Sequence, residues 1–143
     1  MRSKGKFVVC ALGAGVALGS MVQAAGAACG PTMAGVWHFH ALEVGKDVGD
    51  GSVIRCVASV ISNGNFTAPC VIYEAGSGTP KSKTVSGKLM LTATCDLTGS
   101  VTIPGDKSVT IRFGHVNGNI GSGVATQNTG LNTQVLHFNL VRK

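Results

Sequence analysis

The chain has 143 residues, and 12 Lys and Arg against 6 Asp and Glu give it a formal net charge of +6. Three of the basic residues precede an N-terminal apolar stretch, and the others form no cluster interleaved with aromatic side chains. With one Trp and one Tyr the chain has few platforms on which bases could stack, so we expect no nucleic-acid binding.

The N-terminal segment predicts a cleaved export signal. Its basic start is followed by an apolar stretch from Phe7 to about Val22, which is shorter than the roughly 20 residues of a membrane span. Small residues permit cleavage after Ala24 or after Ala27, and we favour Ala24. We therefore expect residues 1–24 to be a signal peptide. Residues 25–143 then form one domain, exported to the periplasm or the extracellular space, with no membrane span in the mature chain.

The mature chain keeps four cysteines, Cys29, Cys56, Cys70 and Cys95. An even number of cysteines in a small exported domain predicts two disulfides. The competing interpretation is a four-thiolate zinc site, but such sites usually draw their ligands from closely spaced cysteine pairs, which this chain lacks.

Strand signals run through the rest of the sequence. It is rich in Val, Ile, Thr and Gly, alternates apolar with polar residues and has no sustained helical period, so we predict an all-β domain. Turn sequences such as Ser62-Asn63-Gly64 and Asn117-Gly118 favour an antiparallel up-and-down meander. In chain order the predicted strands cover residues 35–42, 53–61, 65–73, 88–95, 100–103, 108–116, 119–126 and 134–141.

The hairpin at Gly64 suggests a register and a disulfide pairing. If Gly64 takes the left-handed position of a three-residue loop, Cys56 faces Cys70 and the apolar residues of both strands share one face. Cys29 precedes the first strand and Cys95 ends the fourth, at the opposite end of the meander. Among the three connectivities we therefore prefer Cys56 with Cys70 and Cys29 with Cys95.

Eight short strands with one apolar face each must stack as two sheets or close on themselves. Closure removes the sheet edges, so we predict one antiparallel barrel of about eight strands, with a two-sheet β-sandwich as the alternative. The interior of such a barrel is filled by side chains or holds one small ligand. Alternation points Ala93 and Cys95 inward on the fourth strand and Phe113 inward on the sixth, and residues 74–86 are expected to form a surface loop.

The first and last strands carry a family resemblance. Gly35-Val36-Trp37, with Arg142 just after the last strand, resembles the Gly-x-Trp and late Arg of the calycin superfamily, which includes lipocalin and avidin-type barrels. The resemblance implies a barrel in which Arg142 packs across Trp37 at the closed end. Biotin binding is not implied, because Trp37 is the only Trp and the tryptophans of the avidin site have no counterparts.

A second resemblance implies a different function. Small exported inhibitors of bacterial metalloproteases are also eight-strand barrels with a Gly-x-Trp and a disulfide, and they place a free N-terminal segment in the protease cleft. Residues 25–31 are the corresponding segment here. A disulfide at Cys29 would leave only the residues before it free.

Three histidines could converge on a metal ion. His38 and His40 are two apart on the first strand and share its outer face, and His137 joins them if the last strand pairs with the first. Such a trio suits zinc or copper. The alternative is three solvent-exposed imidazoles without a role, since no Asp or Glu is evident nearby to hydrogen-bond and orient them.

The patterns that carry catalysis are missing, so we expect no enzymatic activity: there is no nucleophile elbow and no free Cys beside a His. The first functional hypothesis is a module that binds a small apolar ligand. The alternative is a secreted interaction protein, either a protease inhibitor or a structural surface component, and a further alternative is metal capture. A ligand cavity would be lined by Trp37, Phe39, Phe66, Phe113 and Phe138.

Overall fold

The computed structural model describes residues 29–30, 32–45, 51–105, 108–128 and 133–143, so the predicted signal peptide lies outside the described residues. Eight antiparallel strands close into one up-and-down barrel, which confirms the predicted fold class over the sandwich. Within these ranges no helix is long and apolar enough to cross a membrane. The strands are β1 (Gly35–Val44), β2 (Gly51–Val60), β3 (Asn65–Glu74), β4 (Lys81–Leu91), β5 (Leu97–Thr102), β6 (Val109–Asn117), β7 (Ile120–Asn128) and β8 (Thr133–Arg142).

The hairpin between β2 and β3 has the predicted register. Cys56 pairs with Cys70 and Val60 with Phe66, and Gly64 has a φ of 87°, a left-handed value that glycine adopts without steric cost. Alternate residues of each strand therefore point into one core. Its largest fully buried side chains are Trp37, Met33, Leu89, Leu97, Leu140, Val116 and Cys70.

The prediction for the fourth strand was wrong in its bounds. β4 begins at Lys81, inside the stretch predicted to be a loop, and ends at Leu91. Its first half is polar, so apolar alternation could not reveal it; Val85 is the one buried residue of that half. Cys95, predicted to point inward at the end of the strand, lies beyond it at a φ of 68°, and Ala93 is exposed in the same turn.

A β-bulge in β6 overturns the predicted position of Phe113. Ile111 pairs with Ala125 and Phe113 with Val124, so Arg112 is an extra residue in β6 that the partner strand β7 does not match. The extra residue reverses the alternation. Phe113 therefore points outward and is 67% exposed.

The two disulfides join Cys29 to Cys95 and Cys56 to Cys70. These are the pairs that the predicted register favours. The first bond ties the segment before β1 to the turn after β4, and the second links neighbouring strands in the barrel wall. Two such bonds are consistent with an oxidising, exported environment.

Candidate functional site

One end of the barrel is closed by side chains around Trp37. The indole Nε1 donates a hydrogen bond to the backbone oxygen of Met33 at 2.7 Å, and both residues are 1% exposed. The guanidinium of Arg142 lies 5.6 Å from the centre of the indole ring and donates to the backbone oxygen of Ala34. The geometry is that implied by the Gly-x-Trp and late Arg, and the closed barrel is compatible with a calycin-like fold.

The turn after β4 adds a second layer to this end. Asp96 accepts hydrogen bonds from the hydroxyls of Thr94, at 2.6 Å, and Thr92, and its Oδ1 lies 3.6 Å from Nδ1 of His115. The Thr94 hydroxyl is the main cause that lowers the pKa of Asp96, and His115 lowers it further. Since Cys95 is bonded to Cys29, the turn is anchored both covalently and by hydrogen bonds.

A cavity of about 80 Å³ lies inside the barrel between this closed end and the opposite end. Seven of the eight strands contribute to its wall, and every lining side chain is apolar. Water in so apolar a cavity would find no hydrogen-bond partners, which favours an empty state or an apolar occupant. The lining residues are Phe39, Ala41, Ile54, Cys56, Val85, Leu89, Val101, Ile103, Val109, Ile111, Ala125, Leu136 and Phe138.

The five predicted cavity residues fall in different places. Phe39 and Phe138 line the cavity. Phe66 stands behind Phe39, with ring centres 6.0 Å apart, and Trp37 belongs to the closed end. Phe113 is wrong as a cavity residue, because the bulge turns it outward.

Glycines on β6 and β7 make room for the ring of Phe138. A Cβ atom at Gly123 would stand 2.5 Å from Cζ of Phe138, and one at Gly114 would stand 3.3 Å from it. The tip of the ring therefore lies close to the backbone of both glycines. A side chain at Gly123 would displace Phe138, which is part of the cavity wall.

A group of polar residues, the mouth collar, lies at the other end of the barrel on β1 to β4 and on β7. It comprises Glu43, Ser52, Glu74, Lys81 and Gln127. Ser52 and Gln127 are buried, and the Ser52 hydroxyl donates to the Glu43 carboxylate. Lys81 and Glu74 form an exposed ion pair at 2.5 Å. We had not singled out this collar from the sequence, although these residues continue the inward alternation of their strands.

The predicted metal ligands lie on the outer wall. His38 is half-buried and His40 is exposed, and both are outward on β1, whereas His137 is exposed on β8 opposite Leu42. Within the part of the chain that the structure describes, no three His, Cys, Asp or Glu side chains are grouped to hold a metal ion. Metal capture therefore remains a prediction from the sequence spacing.

Comparison with known protein families, curated proteins and solved structures finds no match for this chain.

Proposed function

We propose that this protein is an exported, calycin-like barrel that binds a small amphiphile, whose apolar chain enters the barrel and whose polar end stays at the mouth. The cavity, with its wholly apolar wall, is the observation that carries the proposal. Export is supported by the two disulfides and by the basic and apolar N-terminal segment of the sequence.

The size of the cavity limits the ligand. At about 80 Å³ it has roughly half the volume of the 150 Å³ engineered cavity that binds benzene or xenon. A short, unbranched aliphatic chain suits this space better than a fused ring system. Leu89, Leu136 and Ile111 in the wall have rotatable side chains that can adjust to such a chain.

The mouth collar supports a polar end group on the ligand. Ser52 and Gln127 provide hydrogen-bonding groups on the inner side of the wall, and Glu43 lies opposite Ser52. A hydroxyl group could both donate to Glu43 and accept from Gln127. An alcohol is therefore the simplest probe that combines the two expected parts.

The test is a titration of the full mature chain with a series of linear alkanols, from ethanol upward, followed by NMR chemical shifts. Burying each CH₂ group is worth roughly 0.8 kcal/mol, so the affinity should rise about fourfold per added carbon. It should stop rising when the chain fills the cavity. An affinity that is independent of chain length would overturn the proposal.

A matched pair of variants localises the binding. Ala125 is buried in the cavity wall, and Ala125→Leu places three further carbons in the space, so the longest alkanol should bind at least about tenfold more weakly. Ala93→Leu makes the same change in an exposed turn and should leave the affinity unchanged. Equal effects of the two variants would place the binding outside the cavity.

Contact with another protein is a second candidate function, favoured by the outer wall. Phe113, Val124, His137, Leu42, Val53 and Tyr73 are successive partners across six strands. Phe113, Leu42 and Tyr73 are 67%, 51% and 45% exposed. Large apolar side chains that are exposed to solvent can mark a protein interface.

Sedimentation equilibrium tests the simplest such contact, with a second copy of the chain. The wild type should associate as its concentration rises, and the double variant Leu42→Ser with Phe113→Ser should stay monomeric. A wild type that is monomeric throughout would rule out self-association. The same variant should leave alkanol binding unchanged, which separates the two candidate functions.

A further inference from the structure

A second concave site lies on the outside of the barrel, over β1 to β4. It is a groove of about 530 Å³ whose lining includes His38, His40, Arg55 and Lys83, with no Asp or Glu among the described lining residues. Its floor is apolar and its far side carries two hydroxyl groups. The remaining lining residues are Cys56, Val57, Pro69, Cys70, Val71, Ser82 and Thr84.

The strand register places His40 and Arg55 side by side. His40 is the direct cross-strand partner of Arg55, and Val71 and Ser82 continue the same row on β3 and β4. Directly opposite residues on one face of a sheet have Cβ atoms about 5 Å apart. The guanidinium of Arg55 also lies 5.9 Å from the centre of the Tyr73 ring, a contact that helps to orient it.

This pairing favours an anion in the groove. Arg55 carries a permanent positive charge, and no carboxylate is among the described residues that line the groove. An anion held between Arg55 and His40 would be attracted to the guanidinium. Guanidinium, imidazole and hydroxyl groups are also all hydrogen-bond donors, which an oxyanion with several oxygens can accept together.

The floor of the groove selects an anion with an apolar body. The row next to His40 runs from His38 through Val57, Pro69 and Thr84. In this region the register passes from Cys56 opposite Cys70 to Ser59 opposite Thr67, and Pro69 lies between them without an N–H group. A flat apolar group can rest on Val57, Pro69 and Val71 while its charged end meets Arg55.

We propose that this groove is a binding site for phosphate or sulfate monoesters, independent of the internal cavity, with Arg55 and His40 contacting the oxyanion. An aryl ester then places its ring on the apolar floor, and Ser82 and Thr84 donate from the β4 side.

The first experiment titrates the full mature chain with inorganic phosphate, phenyl phosphate and phenyl sulfate, followed by NMR. Phenyl phosphate should bind more tightly than inorganic phosphate, with shifts confined to the outer residues of β1 to β4. Arg55→Gln should weaken phenyl phosphate at least about tenfold, because it removes a charged hydrogen bond. Arg112→Gln, the matched control on the outer face of β6, should bind like the wild type.

The second experiment isolates the histidine contribution. At one fixed pH, His40→Gln should weaken phenyl sulfate binding several-fold, because it removes one of the two side chains that contact the oxyanion. His115→Gln, at the closed end, should bind phenyl sulfate like the wild type.

Several results would overturn the site. They are equal loss of binding in Arg55→Gln and Arg112→Gln, shifts spread over the whole surface, or equal binding of phenyl sulfate by the wild type and His40→Gln. Alkanol titration of Arg55→Gln distinguishes the two proposals, since the internal cavity should be unaffected. Phenyl sulfate that competes with alkanols would place both ligands in one site and contradict the assignment to the groove.

Discussion

The two ends of the barrel are built differently. At the closed end, Trp37 bonds to the backbone of Met33 and packs under Arg142. The Cys29–Cys95 disulfide holds the segment before β1 against the turn after β4. At the mouth, the polar collar replaces apolar packing. From this contrast we expect stability to be concentrated at the closed end and access to the interior, if our proposed function is right, at the mouth.

Such a division suits a binding protein. A ligand must displace or pass whatever covers the cavity, and segments that open readily are those with few buried apolar contacts. Tight packing at the closed end therefore need not hinder the entry of a ligand into the cavity. Three experiments test how unequal the two ends are.

The largest effect is expected for Trp37→Ala. The side chain is 1% exposed, and its loss removes both packing and the hydrogen bond to Met33, so the free energy of unfolding should fall by about 3–5 kcal/mol. Tyr73→Ala, an aromatic truncation in the outer wall towards the mouth, should cost about 1 kcal/mol. Urea unfolding measures both, and similar losses would contradict the proposed asymmetry.

Removal of the disulfides should give the next largest effects. The Cys29–Cys95 bond spans 66 residues and the Cys56–Cys70 bond spans 14. Loop-closure entropy gives a loss of about 4 kcal/mol for the paired Cys→Ala change in the first and about 3 kcal/mol in the second. A larger loss of stability for removal of Cys56–Cys70 than of Cys29–Cys95 would contradict the proposed concentration of stability at the closed end.

The smallest effect is a pH dependence at the closed end. Because hydrogen bonding lowers the pKa of Asp96 in the folded chain, its stabilising contribution is present above the unfolded pKa and is lost as pH falls through the folded value. The stability advantage of the wild type over Asp96→Asn should therefore shrink in acid. Thr94→Ala should reproduce part of the change, whereas Thr98→Ala, an exposed threonine on β5, should not. Unfolding followed across this pH range provides the measurement.

Much of the barrel could be predicted because inward and outward residues alternate so regularly. Cys56 and Cys70 share the inner face with Ile54 and Ala68, so a single hairpin register accounts for both packing and disulfide geometry. The closed end could also be anticipated, from Gly35, Trp37 and Arg142. Alternation fails where polar residues occupy both faces, as in the first half of β4.

The candidate sites were less accessible to sequence reasoning. The parity of β6 changes between Ile111 and Val116, both of which face inward, but the sequence does not say which residue is the extra one. A bulge after Phe113 would have kept that aromatic side chain in the core. In the structure the bulge lies before it, at Arg112. The basic groove was missed because His40 and Arg55 become neighbours only through the pairing of β1 with β2.

The bulge at Arg112 also has a consequence for how this chain tolerates change. Residues before it supply Val109 and Ile111 to the cavity wall, and those after it supply Gly114 and Val116 to the packed interior near the closed end. Arg112 has no partner on β7, so deleting it would leave Ile111 opposite Ala125 and Phe113 opposite Val124 and would restore a regular strand. Phe113 would still point outward and Gly114 would still face Phe138, so related barrels should vary both the identity and the presence of residue 112.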